Sequence, residues 1–153
     1  MDKVKEIIVK KPAIFLILSA VYLLSVIILK WRLHPDGDTI WFVIGGSLGV
    51  YFLDTAEVFF SLHPSPFRSI LFLALFTIVS FFVVTSSGSA LAIGLVLSLY
   101  VQMILWQLGE WRVVGNLNTL FATVSAPVPR VTQRAVSLLF IVLFIFETYF
   151  YLH

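Results

Sequence analysis

The chain has no cysteine and little charge: Asp, Glu, Lys and Arg together make 12% of its 153 residues. Lack of cysteine excludes disulfides, thiolate nucleophiles, Cys-ligated zinc and iron–sulfur clusters. Its three histidines, His34, His63 and His153, have no H-x-x-H or H-x-x-x-H partner, so no metal is expected. Phosphate-binding loops, dinucleotide fingerprints and haem motifs are absent, and no cofactor is expected. A net charge of +2, scattered along the chain, makes no basic groove of the kind nucleic acid needs.

What remains is apolar. Hydrophobic residues make up 60% of the chain and mean hydropathy is +1.05, more apolar surface than a water-soluble fold of this size can cover. Fifteen Phe, five Tyr and four Trp add bulk and rings that settle at the boundary of hydrocarbon and headgroup. The partner this composition demands is a lipid bilayer.

Runs without charge set the organisation. An all-α polytopic bundle of five spans is predicted in one transmembrane domain, at about 12–30, 39–61, 67–85, 90–108 and 135–152. Ala13 to Leu29 is uncharged, and at ~1.5 Å per residue it covers roughly 26 Å. Lys30-Trp31-Arg32 reads as an interfacial stop, and no small-residue cleavage site follows, so the span is expected to stay. Upstream, Val4, Ile7 and Ile8 share a helical face among Lys3, Lys5, Lys10 and Lys11, a pattern that lies on anionic lipid. Pro, Gly and Asp turn the chain at 34–38, the prolines of 63–66 break it, and Thr85 to Ser89 makes a tight hairpin. Between the last two spans, 111–125 is less apolar. Val113, Leu117, Leu120, Phe121 and Val124 keep helical spacing there, which predicts a short interfacial amphipathic helix, ended by Pro127 and Pro129.

Lys and Arg are kept on the cytoplasmic side. With the N-terminus inside, Lys3, Lys5, Lys10, Lys11, Arg68, Arg112, Arg130 and Arg134 fall inside and Lys30 and Arg32 outside. The expectation is a cytoplasmic N-terminus and an outside C-terminus.

Carboxylates in hydrocarbon cost several kcal/mol and persist where they have a partner or a task. Asp54 and Glu57 lie one turn apart on the second span, in a stripe with Ser47, Tyr51 and Ser61 expected to face protein or water. With Glu110 at the end of the fourth span they are candidates for an inward cation or proton site, or for ion pairs such as Glu57 with Arg68 and Glu110 with Arg112. Glu147 on the last span is a fourth candidate, with Lys30 or Arg32 as its expected salt-bridge partner and a proton path by way of Gln102 as the alternative. Gly45-Gly46-Ser47-Leu48-Gly49 fits the G-x-S-x-G of hydrolases, but no histidine is placed to face Ser47. The same residues fit G-x-x-x-G, where missing side chains let helices approach. Ala90, Gly94 and Ser98 repeat that spacing, so the second and fourth spans are expected to pack through these faces.

The leading functional expectation is a non-catalytic subunit or oligomeric component of a membrane assembly, with a homo-oligomer or membrane-protein partner. A small channel or cation-coupled transporter using Asp54 and Glu57 is the alternative. A lipid-processing enzyme, for which no motif speaks, is third.

Overall fold

A computed structural model describes residues 5, 13–32, 34, 36–60, 69–116 and 128–152, and among them five helices are traced. They are α1 (Ala13–Trp31), α2 (Gly37–Phe59), α3 (Ile70–Ser86), α4 (Ala90–Val114) and α5 (Arg130–Leu152). There is no strand among the described residues. Among the described residues, four helices are long and apolar enough to cross a bilayer: α1, α2 over Gly37–Ala56, α4 and α5. The apolar α3 has 17 residues, about 26 Å of rise against a hydrocarbon layer of roughly 30 Å.

Local chemistry sets the helix ends. At the start of α2 the Asp36 carboxylate accepts from the backbone N–H of Asp38 and Thr39, at 2.9 and 3.2 Å, while Thr39 Oγ1 accepts from the Asp36 N–H at 3.1 Å. This reciprocal cap satisfies donors that the first turn would leave orphaned, and it starts the helix at Gly37, two residues before the expected span. Ser69 and Ser89 cap α3 and α4 in the same way, accepting from Phe72 N and Ala92 N. Gly88, at φ +63°, turns the hairpin between them.

At the far end α4 departs from expectation. Residues 111–114, assigned from sequence to an interfacial helix, continue α4 without a break to Val114, where Gly115 at φ +83° returns its N–H to Trp111 O and ends the helix. Left-handed backbone of this kind suits glycine. From 117 to its expected end at 125, that segment lies outside the described residues. The last helix begins at Arg130 rather than 135, bringing Arg130 and Arg134 into its first turns. Long side chains carry their charges outward there, and the Arg134 guanidinium lies over the Trp111 ring at 4.8 Å.

Each outer helix buries one stripe. On α5, Gln133, Phe140 and Glu147 are buried and Ser137, Phe144 and Tyr151 half-buried, steps of three and four that keep one face toward a neighbour. On α1 the stripe is Ser19, Tyr22, Val26 and Lys30. The opposite faces are bare and apolar: Leu24 is 58% exposed, Phe82 64% and Leu138 62%. Such surface is costly in water and suits lipid or another apolar helix.

Helix α4 is the hub. It packs against α1, α2, α3 and α5, and most extensively against α2. The α2–α4 pair is parallel, with Phe42 and Gly46 against Gly94, Gly45 against Leu91, and Gly49 against Leu95 and Ser98. A Cβ on Gly45 would run into the Leu91 carbonyl, one on Gly94 into the Phe42 carbonyl, and one on Gly49 would come within 2.7 Å of Ser98 Cβ and 2.8 Å of Leu95 O. Backbone cannot give way as a flexible side chain can, so these positions admit no side chain without separating the helices.

Replacing Gly94 by Leu should therefore cost about 3 kcal/mol or more. Gly37→Ala, where a Cβ meets nothing within 4 Å, should change stability by well under 1 kcal/mol. Thermal unfolding in detergent, followed by helical circular dichroism, checks the contrast; equal midpoints would contradict the packing.

Candidate functional site

The polar groups of the spans gather inside the bundle, where they bond across helices. Gln102 on α4 donates through Nε2 to Ser19 Oγ on α1 at 2.6 Å, and Ser19 donates onward to Phe15 O at 2.6 Å. Ser137 on α5 donates to Gln107 Oε1 on α4 at 2.6 Å. Tyr22 Oη and Thr148 Oγ1 join α1 to α5 at 2.8 Å. All but the Ser19–Phe15 bond link two helices, in a setting where water does not compete.

The most concentrated of these groups surrounds Glu147. Its residue is 2% exposed, and Ser80 of α3 reaches both carboxylate oxygens, at 3.0 and 3.2 Å. Ser80 Oγ is also 2.9 Å from Thr77 O, so one hydroxyl proton serves three acceptors. Tyr100, fully buried on α4, places its hydroxyl beside Thr77, Ser80 and Glu147 but makes no hydrogen bond of good geometry. A groove of about 270 Å³ opens beside Glu147, between Thr77, Ile78, Phe81 and Phe82 of α3 and Leu143 and Phe146 of α5.

The expected salt bridge of Glu147 with Lys30 is not formed. Lys30 instead donates to the backbone carbonyl of Tyr151 at 2.9 Å and lies 4.2 Å from the centre of the Tyr151 ring. A cation at a helix C-terminus meets the unsatisfied carbonyls of the last turn, which draws it away from a carboxylate one turn deeper. Arg32 is exposed, at φ +46°. Gln102, expected either to bond across helices or to relay a proton, is committed to Ser19.

Asp54 is buried on α2, at 8% exposure. The stripe proposed around it is not uniformly inward: Ser47 is exposed and Tyr51 half-buried. Glu57 belongs to α2, but its side chain, with Ser61, His63 and Arg68, lies outside the described residues, and with them the expected Glu57–Arg68 pair. Glu110 is half-buried near the end of α4, next to the exposed Arg112. Depth separates Asp54 from Glu147. Phe42 stacks on Tyr151 with ring centres 5.6 Å apart, which puts the two at one level. Asp54 lies twelve residues from Phe42, ~18 Å of helix, and Glu147 four residues from Tyr151, ~6 Å. The two carboxylates thus occupy different layers, about 12 Å apart along the bundle.

Among the small residues, Gly45, Gly49, Gly94 and Ser98 lie in the α2–α4 contact, and Ala90, the first residue of α4, is half-buried against the core. No group of three or more His, Cys, Asp or Glu side chains able to hold a metal occurs among the described residues. Sequence reasoning missed Ser80, Thr77 and Tyr100. Their one advance signal is a hydroxyl inside an apolar run, and that fits a bond to the residue's own helix equally well.

A double-mutant cycle of Ser19→Ala and Gln102→Leu should return a coupling of about 0.5–1.5 kcal/mol in detergent unfolding. Strictly additive effects would mean that the pair does not hold α1 to α4. Compared with protein-family models, curated proteins and solved structures, the chain matches none, and its reading rests on this geometry.

Proposed function

We propose that this small multi-pass membrane protein is a non-catalytic component of a membrane assembly, bound to copies of itself or to another membrane protein. The carrying observation is the use to which its intramembrane polar groups are put. Ser19 with Gln102, Ser137 with Gln107, Tyr22 with Thr148 and Ser80 with Glu147 each join two helices, the behaviour of structural fasteners.

A partner's place is suggested by α2. One side of that helix is taken up by α4 and α1, while Trp41, Ile44, Leu48 and Phe52 are exposed on its outer side with Ser47 among them. A hydroxyl centred in an otherwise apolar face finds better company in another helix than in lipid. In this reading all five helices cross the membrane, with the basic N-terminal segment in the cytoplasm and His153 outside, in accord with the placement of Lys and Arg.

Native mass spectrometry from lipid nanodiscs tests the assembly. A homo-oligomer or a stoichiometric partner is expected, and Ser47→Trp should dissociate it without lowering helix content. A parent chain that is monomeric and alone would sink the reading. Orientation is separately checked by a reporter fused after His153 that is active only outside the cytoplasm; activity only in a cytoplasmic reporter would reverse it.

A further inference from the structure

We propose that the end of the bundle where α4 stops and α5 begins binds an anionic phospholipid, its phosphate held by Arg130 and Arg134 and its acyl chains laid along the outer face of α5. Depth is the first observation. Arg134 and Arg130 stand ~26 and ~32 Å along α5 from Tyr151, whose ring and carbonyl meet Lys30 at the opposite end of the bundle. A hydrocarbon layer is roughly 30 Å thick, so with Tyr151 at one boundary both guanidinia lie at the level of lipid phosphates at the other. This rests on α5 crossing the bilayer, and on nothing about assembly or orientation.

The face beneath the two arginines is the second observation. Arg130, Arg134, Leu138 and Val142 follow at four-residue steps, so they share one side of α5, and all four are exposed. Leu138 is 62% bare and Val142 58%. Cations at headgroup depth above bare aliphatic side chains complement a phospholipid, anion outside and hydrocarbon within. Arg134 is also held in place, its guanidinium over the Trp111 ring at 4.8 Å. Stacking occupies the face of that group and leaves the N–H donors of its edge in one plane, the geometry that meets two phosphate oxygens at once.

Charge selects among lipids. Arg112, exposed beside Trp111, adds a third guanidinium at this end, and Glu110 is the only carboxylate between Glu57 and Glu147. At the other end Lys30 and Arg32 are matched in number by Asp36 and Asp38. The ammonium of a zwitterionic headgroup would enter the excess of positive charge around α5. A headgroup without a cation leaves the whole phosphate charge to the arginines. Phosphatidylglycerol has that chemistry.

Native mass spectrometry of the full chain in detergent, titrated with dioleoyl phosphatidylglycerol or dioleoyl phosphatidylcholine, tests the site. A phosphatidylglycerol should be retained at concentrations about tenfold below those needed for phosphatidylcholine. The double variant Arg130→Gln, Arg134→Gln should retain the two lipids equally, whereas Arg32→Gln, exposed at the opposite end, should keep the preference. Thermal melting followed by circular dichroism establishes that each variant is folded. Inorganic phosphate and glycerophosphoglycerol, which lack acyl chains, should not displace the lipid at equal concentration. Equal retention of the two lipids by the parent, as when the arginines meet an acidic partner protein instead, would overturn the site. So would a preference that survives the double substitution or falls as far in Arg32→Gln, or displacement by either chain-free anion.

Discussion

The backbone approach of α2 to α4 is the constraint on which the rest depends. Gly45, Gly49 and Gly94 remove the side chains that would keep the two helices apart, and carbonyls of one helix occupy the space where Cβ atoms of the other would stand. In lipid there is little hydrophobic force to drive helices together, so association relies on close van der Waals fit and on polar bonds. Once α2 and α4 are joined, α4 presents its remaining sides to α1, α3 and α5. The aromatic layer of Phe76, Tyr100, Phe140 and Phe144, with ring centres 4.6–5.4 Å apart around Tyr100, fills the space between them.

Polarity follows the same plan. The exposed surface of the long helices is mainly aliphatic and aromatic, while Ser19, Gln102, Gln107, Gln133 and Glu147 are buried. Such an arrangement suits a solvent that cannot hydrogen-bond, and it fixes register because each bond requires its two helices at matching depth. Gln102 meets Ser19 while Gly109 faces Phe15, so α1 and α4 run antiparallel; Tyr22 meets Thr148 while Lys30 meets Tyr151, so α1 and α5 run parallel.

How much of this could be read in advance depends on how local the cause is. Long uncharged runs define helices by themselves, and the helical bundle with its long apolar helices was legible for that reason. Ends were less so. Arg112 marked its segment as interfacial and Arg130 and Arg134 held back the expected start of the last span, yet a guanidinium on a long stem leaves hydrocarbon without ending a helix, and the true stop of α4 is Gly115. The surroundings of Glu147 were the least legible. Its position pointed to Lys30 by side of the membrane alone, whereas the observed partner, Ser80, is 67 residues away and comes near through the packing of α3 and α5. The stripe through Ser47 and Asp54 also changed meaning, because a face defined by polarity is not the face that α4 covers.

The parallel contact of α2 and α4 can be measured directly because the native chain offers no competing thiol. Gly49 against Leu95 and Ser98 puts Phe59 and Leu108, both exposed, at one level near the ends of the two helices, whereas Gly37 stands ~33 Å of helix away from that level. Nitroxides on a chain carrying Phe59→Cys and Leu108→Cys in nanodiscs should therefore lie much closer, by double electron–electron resonance, than those on Gly37→Cys and Leu108→Cys. Equal separations, or the reverse order, would contradict the account.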